Sequence, residues 1–110
     1  MKELNEACYA DEIKWENVDD KIWEKVIWKD EVSGTYVRLV RADPGFKGEN
    51  TVRHECDELV YVLHGQQINI RTGKIWHQGM ISTFPAGVEH GPFATEEGIL
   101  CIEFRYYRKP

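Results

Sequence analysis

The sequence predicts an all-β protein built as one domain, and three observations lead to that prediction. The chain has 110 residues, which is the length of one ordinary domain at roughly 100–200 residues per domain. All nine glycines lie between Gly34 and Gly98, where they separate short runs rich in β-branched and aromatic residues. Turn signals recur about every 8–12 residues, which is the strand spacing of a β-sandwich or β-barrel.

The predicted strands follow a less regular N-terminal third. The first run of strand-like composition begins at Trp23, and the next begins directly after Gly34. From there, glycines separate one run from the next, and Gly65 is predicted to form a tight turn between two of them. The predicted strands cover residues 23–29, 35–41, 50–54, 59–63, 67–71, 80–84, 91–94 and 99–107.

Residues 1–33 carry the whole net charge of -5. This segment holds ten acidic and five basic side chains, whereas residues 34–110 hold nine of each and sum to zero. Trp15, Trp23 and Trp28 lie among these charges, which suits an extended arm over a barrel. We therefore expect residues 1–33 to form an acidic, tryptophan-rich arm that packs on the barrel or on a partner subunit. Residues 34–110 are expected to form the barrel itself.

We expect neither nucleic acid nor a membrane as a partner. Nucleic-acid binding needs a basic patch, and basic residues cluster only at Arg105, Arg108 and Lys109. No run approaches the roughly 18 apolar residues of a membrane helix, and the first residues lack the basic start and apolar core of a signal peptide. The three cysteines have no CxxC spacing, so free thiols in a soluble cytoplasmic protein are expected.

Candidate metal ligands stand in two short segments. Histidine and carboxylate side chains commonly bind divalent metals. In the first segment, His54 is followed by Glu58, and six residues separate Glu58 from Gly65. The second segment runs from Gly79 through five residues to Pro85-Ala86-Gly87, and then through two residues to His90.

These segments resemble the two conserved motifs of the cupin superfamily. The tail after His90, and the runs Leu39-Val40-Arg41 and Pro44-Gly45 before His54, are similar to small cupins that include acetylacetone-cleaving dioxygenases and ChrR-type anti-sigma domains. The resemblance implies a double-stranded β-helix, or jelly-roll barrel. It also implies a homodimer with the tryptophan-rich arm at or near the interface. Two positions depart from the pattern: Val52 replaces the first histidine of the first motif, and Ala94 replaces the asparagine of the second.

The resemblance leaves His54, Glu58 and His90 as the metal ligands. Two imidazoles and one carboxylate form the facial triad of non-haem iron sites, which leaves positions open for substrate and oxygen. A divalent metal ion is therefore expected, with Fe(II) favoured and Zn, Ni or Mn also compatible. Cys56 could replace the missing ligand as a thiolate, or attack an electrophile. His64 and His77 are expected at the surface or behind the ligands.

The expected function is metal-dependent catalysis on a small oxygenated substrate of the dicarbonyl or enolate type. A non-haem iron dioxygenase is the leading form. Non-redox isomerase, cyclase or lyase chemistry, a ligand- or metal-sensing cupin, and a barrel that has lost its site are alternatives. An inward Arg38, Arg53 or Arg71 could hold an anionic substrate group. The residues expected to line the substrate pocket are Val52, Cys56, Tyr36, Phe84, Phe93 and Trp76.

Overall fold

The computed structural model describes residues 7–108, which form nine strands and one short 3-10 helix, Ala10–Glu12. The predicted all-β class is confirmed. Within the described residues, no helix is long and apolar enough to cross a membrane. The strands are β1 (Glu16–Asp19), β2 (Ile22–Lys29), β3 (Tyr36–Ala42), β4 (Phe46–Lys47), β5 (Asp57–Asn69), β6 (Ile75–His77), β7 (Ile81–Phe84), β8 (Phe93–Thr95) and β9 (Ile99–Tyr106).

The strands pair antiparallel in the order β1-β2-β3-β9-β5-β8-β4, and β6 and β7 also pair with β5. β5 connects two layers of the sheet. Its first half pairs with β7 and β9, and its second half pairs with β6 and β8. Because one long strand serves both layers, the sheet curls around a single interior as a jelly roll does.

Gly65 bends β5 where the sequence predicted a turn. The chain stays extended from Asp57 to Asn69, so the predicted separation into strands 59–63 and 67–71 was wrong. Gly65 has a φ of 83°, and the pairing with β9 shifts register between Val62 and His64. The shift leaves Leu63 as the extra residue of a bulge, which bends a strand and keeps it in the sheet. Gly65 follows two residues later and still pairs with Ile99 of β9.

Other strand boundaries also differ from the prediction. The predicted strand 50–54 is reduced to one isolated bridge between Val52 and His90, and the strand predicted at 91–94 begins at Phe93. The short strands β1, β4 and β6 went unpredicted. Elements of two to four residues lack the repeated alternation on which a strand prediction depends.

The N-terminal segment contributes strands to the sheet. β2 pairs with β3, and β1 pairs with the far edge of β2. Trp23 Nε1 donates a hydrogen bond to Asp43 Oδ2 at 2.9 Å, and Lys25 Nζ donates one to the Ala10 carbonyl at 2.9 Å. The first bond attaches the segment to the barrel of its own chain, and the second lies within the segment. Residues 1–6 of the predicted arm lie outside the described residues, and the boundary at residue 33 stays a prediction.

Alternation along β5 separates the interior of the barrel from its exterior. Glu58, Val60 and Val62 are buried, whereas Leu59 and Tyr61 between them are exposed. Burying an aliphatic side chain as fully as Val62 contributes about 1.5–3 kcal/mol. Glu58 shares the inward side of β5 with these core valines, so the strand directs a carboxylate into the interior. The buried apolar core consists of Ala42, Val60, Val62, Trp76, Ile99 and Cys101.

Candidate metal centre

Three ligand-type side chains converge inside the barrel. His54 precedes β5, Glu58 is its second residue, and His90 lies between β7 and β8. One nitrogen or oxygen atom of each residue lies within 4.8 Å of the other two. His54 Nε2 is 3.5 Å from Glu58 Oε2. The structure thus brings together the three residues that the sequence singled out as metal ligands.

The backbone at Val52 explains this convergence. Val52 and His90 exchange both backbone hydrogen bonds, each 2.9 Å long. Residues directly opposite in an antiparallel pair extend their side chains from the same face, so Val52 shares the face of His90. Residues two apart in an extended chain also share a face, which places His54 there. Arg53 points the other way, where its Nη2 lies 3.3 Å from Glu89 Oε1.

His90 is held in an orientation that suits a ligand. Its Nδ1 lies 3.3 Å from the Val88 carbonyl oxygen. A carbonyl can only accept a hydrogen bond, so Nδ1 carries the proton and Nε2 keeps its lone pair. Phe84 stacks on the imidazole with the ring centroids 4.4 Å apart.

Burial favours the neutral form of both imidazoles. Burial lowers the pKa of His54, and the nearby Arg105 lowers it further. The pKa of His90 is also lowered, mainly by burial. Because an imidazole binds a metal only when unprotonated, these surroundings prepare both side chains for coordination.

Glu58 is a buried carboxylate with an oxygen that forms no hydrogen bond. It is 6% exposed, and burial together with the nearby Glu103 raises its pKa to about 7. Among the residues described, Glu58 Oε2 has no hydrogen-bond partner. His54 Nε2 lies 3.5 Å from it and Arg105 Nε 3.4 Å. Leaving a buried carboxylate oxygen unsatisfied is costly, and a cation between Glu58 and the histidines would remove that cost.

The donor set therefore fits a divalent metal ion. Nitrogen and oxygen ligands lie about 2.0–2.2 Å from such an ion, so two ligands of one ion stand roughly 3–3.5 Å apart. The 3.5 Å between His54 Nε2 and Glu58 Oε2 falls in this range. Two imidazoles and one carboxylate also leave coordination positions open to other ligands.

A charged network beside this cluster went unpredicted. Arg38 on β3 donates from Nε to Glu103 Oε1 at 3.0 Å and from Nη1 to Glu24 Oε1 at 2.8 Å. Burial alone would lower the pKa of Arg38, but Glu103 and the hydrogen bond to Glu24 raise it above its ordinary value. Arg105 on β9 lies between two carboxylates, with its Nε 3.4 Å from Glu58 Oε2 and 3.5 Å from Glu103 Oε1.

A signal for this network was present in the sequence. In β9, Cys101, Glu103 and Arg105 are two residues apart and share a face, and Cys101 belongs to the apolar core. Charged residues on a core-facing side of a strand are unusual and indicate a functional or paired role. Which side faces the core depends on the pairing register, however, and the sequence alone did not fix that register.

A cavity of about 320 Å³ opens beside the cluster, which is at the lower end of the range for small-molecule sites. Among the residues predicted for the pocket, Val52, Phe84 and Phe93 line it. The lining is mostly apolar, and its polar members include the three ligand-type residues, Arg38, Gln67, Glu103 and Arg105. A second depression of about 470 Å³ shares Val52 and Phe93 with the cavity.

Tyr36, Cys56 and Trp76 are not among the residues that line this cavity. The Tyr36 ring lies beside Arg105, whose Cζ is 5.9 Å from the ring centroid. Cys56 is fully buried, and burial raises the pKa of its thiol, which pairs with the Tyr107 side chain. It is therefore neither a ligand in the cluster nor an available thiolate. Trp76 belongs to the apolar core.

The remaining histidines and arginines that the sequence singled out lie away from the cluster. His64 and His77 are exposed. Arg53 and Arg71 lie on the surface on either side of Glu89, at 3.3 and 4.0 Å. Of the three arginines considered for an anionic group, Arg38 alone lines the cavity.

Comparisons with known proteins agree with this architecture. KdgF from Halomonas sp. superposes with a TM-score of 0.76 at 23% identity, covering 92% of this chain and 92% of that chain. An RmlC-like cupin from Shewanella frigidimarina NCIMB 400 gives 0.77 at 18% identity, covering 99% and 97%. The polyketide cyclase RemF from Streptomyces resistomycificus gives 0.75 at 18% identity, covering 97% and 82%. No curated protein matches.

These structural likenesses are below 25% identity, so they show the fold and carry no activity with them. The family assignment comes from sequence. The family model of the ChrR Cupin-like domain matches residues 4–107, which includes both motifs and the whole ligand cluster. The predicted resemblance is confirmed, and the chain belongs to the ChrR-like family of cupins.

Proposed function

We propose that this protein is a metal-dependent enzyme acting on a small oxygenated substrate of the dicarbonyl or enolate type. The observation that carries the proposal is the unsatisfied Glu58 Oε2, buried within reach of two histidines. A carboxylate, two imidazoles and a cavity of about 320 Å³ meet at one point. This combination supports chemistry on a small molecule that binds directly at the metal.

Each side chain of the site has a distinct role in this proposal. His54, Glu58 and His90 would hold the ion, with the Val88 carbonyl fixing the usable nitrogen of His90. When bound, the ion would supply Lewis-acid polarisation of a substrate oxygen and favour the enolate form. The apolar walls at Val52, Phe84 and Phe93 would exclude water and limit substrate size.

Oxidative cleavage is the first candidate reaction. Two imidazoles and one carboxylate are the donor set of non-haem Fe(II) oxygenases, which need open positions for substrate and O2. Cleavage of a β-dicarbonyl would break one carbon–carbon bond, and one O2 would supply both new oxygen atoms of the two products. We therefore favour Fe(II) as the resident ion, with Zn, Ni or Mn as the alternatives that the same donors accept.

Non-redox chemistry is the second candidate, and Glu103 favours it. Glu103 lines the cavity beside the ligand cluster but does not belong to it. A carboxylate that is free of the metal and lies next to a polarised substrate can move a proton, as isomerases, cyclases and lyases require. This candidate consumes no O2.

Metal content tests the shared part of both candidates. Protein purified without chelators or a histidine tag, and then supplemented with Fe, Zn, Ni and Mn, should hold close to one divalent ion per chain. His90→Ala removes one of three ligands and should abolish that binding. His77→Ala removes an exposed histidine outside the cluster and should leave it intact. Absence of metal from the wild-type protein would refute the proposal.

Oxygen uptake then separates the two reactions. The Fe(II)-loaded protein should consume one O2 per molecule of a β-dicarbonyl such as acetylacetone if it is a dioxygenase. Product formed under argon would favour the non-redox candidate. Metal binding without turnover across a panel of β-dicarbonyls and catechol-like compounds would contradict the enzyme proposal and favour a sensing module.

A further inference from the structure

We propose that the substrate carries a carboxylate and that Arg105 is the side chain that binds it. This inference rests on the proposed function, since it concerns the substrate of the same metal centre. It adds the charge of that substrate and a residue that determines specificity.

Buried charges around the cavity do not balance once a divalent ion is present. Arg38 and Arg105 supply two positive charges. Glu58 and Glu103 line the same cavity, and Glu24 is paired with Arg38, which gives three negative charges. The net charge of these five side chains is -1, and a divalent ion would change the net charge to +1. An uncompensated charge away from water is costly, and one anionic group on the substrate would neutralise it.

Arg105 is less fully engaged than Arg38. The Nε and Nη2 atoms of Arg38 lie 3.0 and 2.9 Å from Glu103, and its Nη1 lies 2.8 Å from Glu24. Arg105 Nε is ion-paired at 3.4 Å to Glu58 and 3.5 Å to Glu103, but it forms no hydrogen bond within residues 7–108. The Arg105 side chain is 16% exposed and lines the cavity. The guanidinium fork binds carboxylates through two parallel hydrogen bonds.

The position of Arg105 suits a residue that orients the substrate. Tyr36 is the cross-strand partner of Arg105. The centroid of the Tyr36 ring lies 5.9 Å from Arg105 Cζ, where the ring supports the guanidinium. Arg105 Nε is also only 3.4 Å from the ligand-type Glu58. A carboxylate bound by Arg105 would therefore keep the rest of a small molecule next to the metal ligands. Asp19 also lines the cavity but is exposed. Its charge is screened by solvent and is therefore not counted among the buried charges.

The test compares acetopyruvate with its methyl ester. Both present the same β-dicarbonyl unit, but only acetopyruvate carries a carboxylate. Calorimetric titration of protein loaded with Zn(II), a redox-inert probe, should show acetopyruvate binding roughly tenfold or more tightly than the ester, as expected for a charge-assisted pair. Metal-free protein, which lacks the positive charge of the ion, should lose this preference.

Variants assign the preference to Arg105. Arg105→Gln should lose the preference while retaining one Zn(II) per chain, and Arg105→Lys should retain part of it because the charge remains but the fork is lost. The matched control is Arg53→Gln, since Arg53 points outward to Glu89; this variant should bind both compounds like the wild type. Circular dichroism would show that each variant is folded.

The possible failures can be told apart. Equal binding of acetopyruvate and its ester by the Zn(II)-loaded wild type would overturn the carboxylate proposal and leave the metal centre standing. If Arg105→Gln keeps the full preference for acetopyruvate, Arg105 does not bind the carboxylate. If Arg105→Gln does not fold, a full preference in Arg105→Lys would overturn the role of Arg105 instead. Failure of the wild type to take up any metal would instead refute the proposed function.

Discussion

Val52 occupies a position beside the three ligand-type side chains but offers no lone pair. Its backbone is paired residue to residue with His90, so its side chain projects from the same face. It also lines the cavity. The aliphatic side chain therefore lies beside the cluster without adding a fourth ligand-type group.

Replacing Val52 with histidine should tighten metal binding. Val52→His adds a fourth nitrogen donor on the correct face, and we expect affinity for Zn(II) or Ni(II) to rise by about tenfold or more. Competition against a chromophoric chelator would measure the change. Arg53→His is the matched control, because it adds an imidazole one residue away on the outward face. Equal affinities in the two variants would mean that position 52 does not face the ligands.

The cysteines should differ sharply in reactivity. Only the thiolate reacts with iodoacetamide. Burial and the nearby Glu103 and Glu58 raise the pKa of Cys101 to about 12, so it is a neutral thiol at pH 8. Burial also raises the pKa of Cys56, whereas Cys8 is exposed. At pH 8, mass spectrometry should find Cys8 alkylated first, with all three modified in urea. Native labelling of Cys101 as fast as that of Cys8 would contradict this burial.

Single residues also show how far the sequence could predict the site. His54, Glu58 and His90 were predictable because motif spacing survives in the linear chain. Glu103 and Arg105 were not, because their contact with Glu58 depends on the pairing of β9 with β5. Such a register is set by burial across the whole sheet, and a shift by one residue would turn both side chains outward.

Among the elements, β5 does the most to position the site. It carries Glu58 in its first half and crosses from one layer of the sheet to the other after the bulge at Leu63. The sequence predicted the residues of both halves but not their continuity, since a glycine between two β-rich runs is equally typical of a turn. In the folded chain Gly65 pairs with Ile99 of β9, so the strand continues through it. Its φ of 83° and the absence of space for a side chain require a glycine at this position.

Gly65→Ala should therefore destabilise the protein strongly. An added Cβ would collide with the carbonyl oxygen of Gly98, which is backbone and cannot move aside easily. Gly73 is a matched control, because it also has positive φ, at 76°, but has no atom within 4 Å of an added Cβ. We expect Gly73→Ala to cost about 1–2 kcal/mol from backbone strain alone and Gly65→Ala more than about 3 kcal/mol. Urea unfolding would measure both, and equal losses would contradict the close approach.

At the scale of the whole molecule, the exterior of the curled sheet is unusually apolar. Outward positions on three adjacent strands bring Leu59, Tyr61, Ile81 and Phe104 side by side, and each is 37–60% exposed. We call these four residues the outer apolar face. Trp15, by contrast, lies against Lys25 and Arg41 of its own chain. Trp15 and Trp23 therefore have partners within the chain, although Trp28 is 52% exposed. Nothing in residues 7–108 covers the outer apolar face.

We expect a second copy of this chain to cover this face. Large apolar side chains each bury about 150–250 Å², so the four residues and the neighbouring Leu63 and Tyr106, which are 39% and 54% exposed, present roughly 500 Å². Two such faces in contact would bury roughly 1,000 Å², the lower limit for a stable interface. The face itself carries no charge, so packing it against itself about a two-fold axis brings no like charges together.

We therefore expect a homodimer that forms through the outer apolar face. Light scattering behind size exclusion should give about twice the chain mass of 12.9 kDa. Phe104→Glu places a charge on the face and should shift the protein to monomer, while leaving the fold intact because Phe104 points outward. Val32→Glu, at a residue 97% exposed outside this face, should remain dimeric. A wild-type mass of 12.9 kDa would exclude the dimer. A dimeric Phe104→Glu would place the interface elsewhere, with the predicted N-terminal arm as the next surface to substitute.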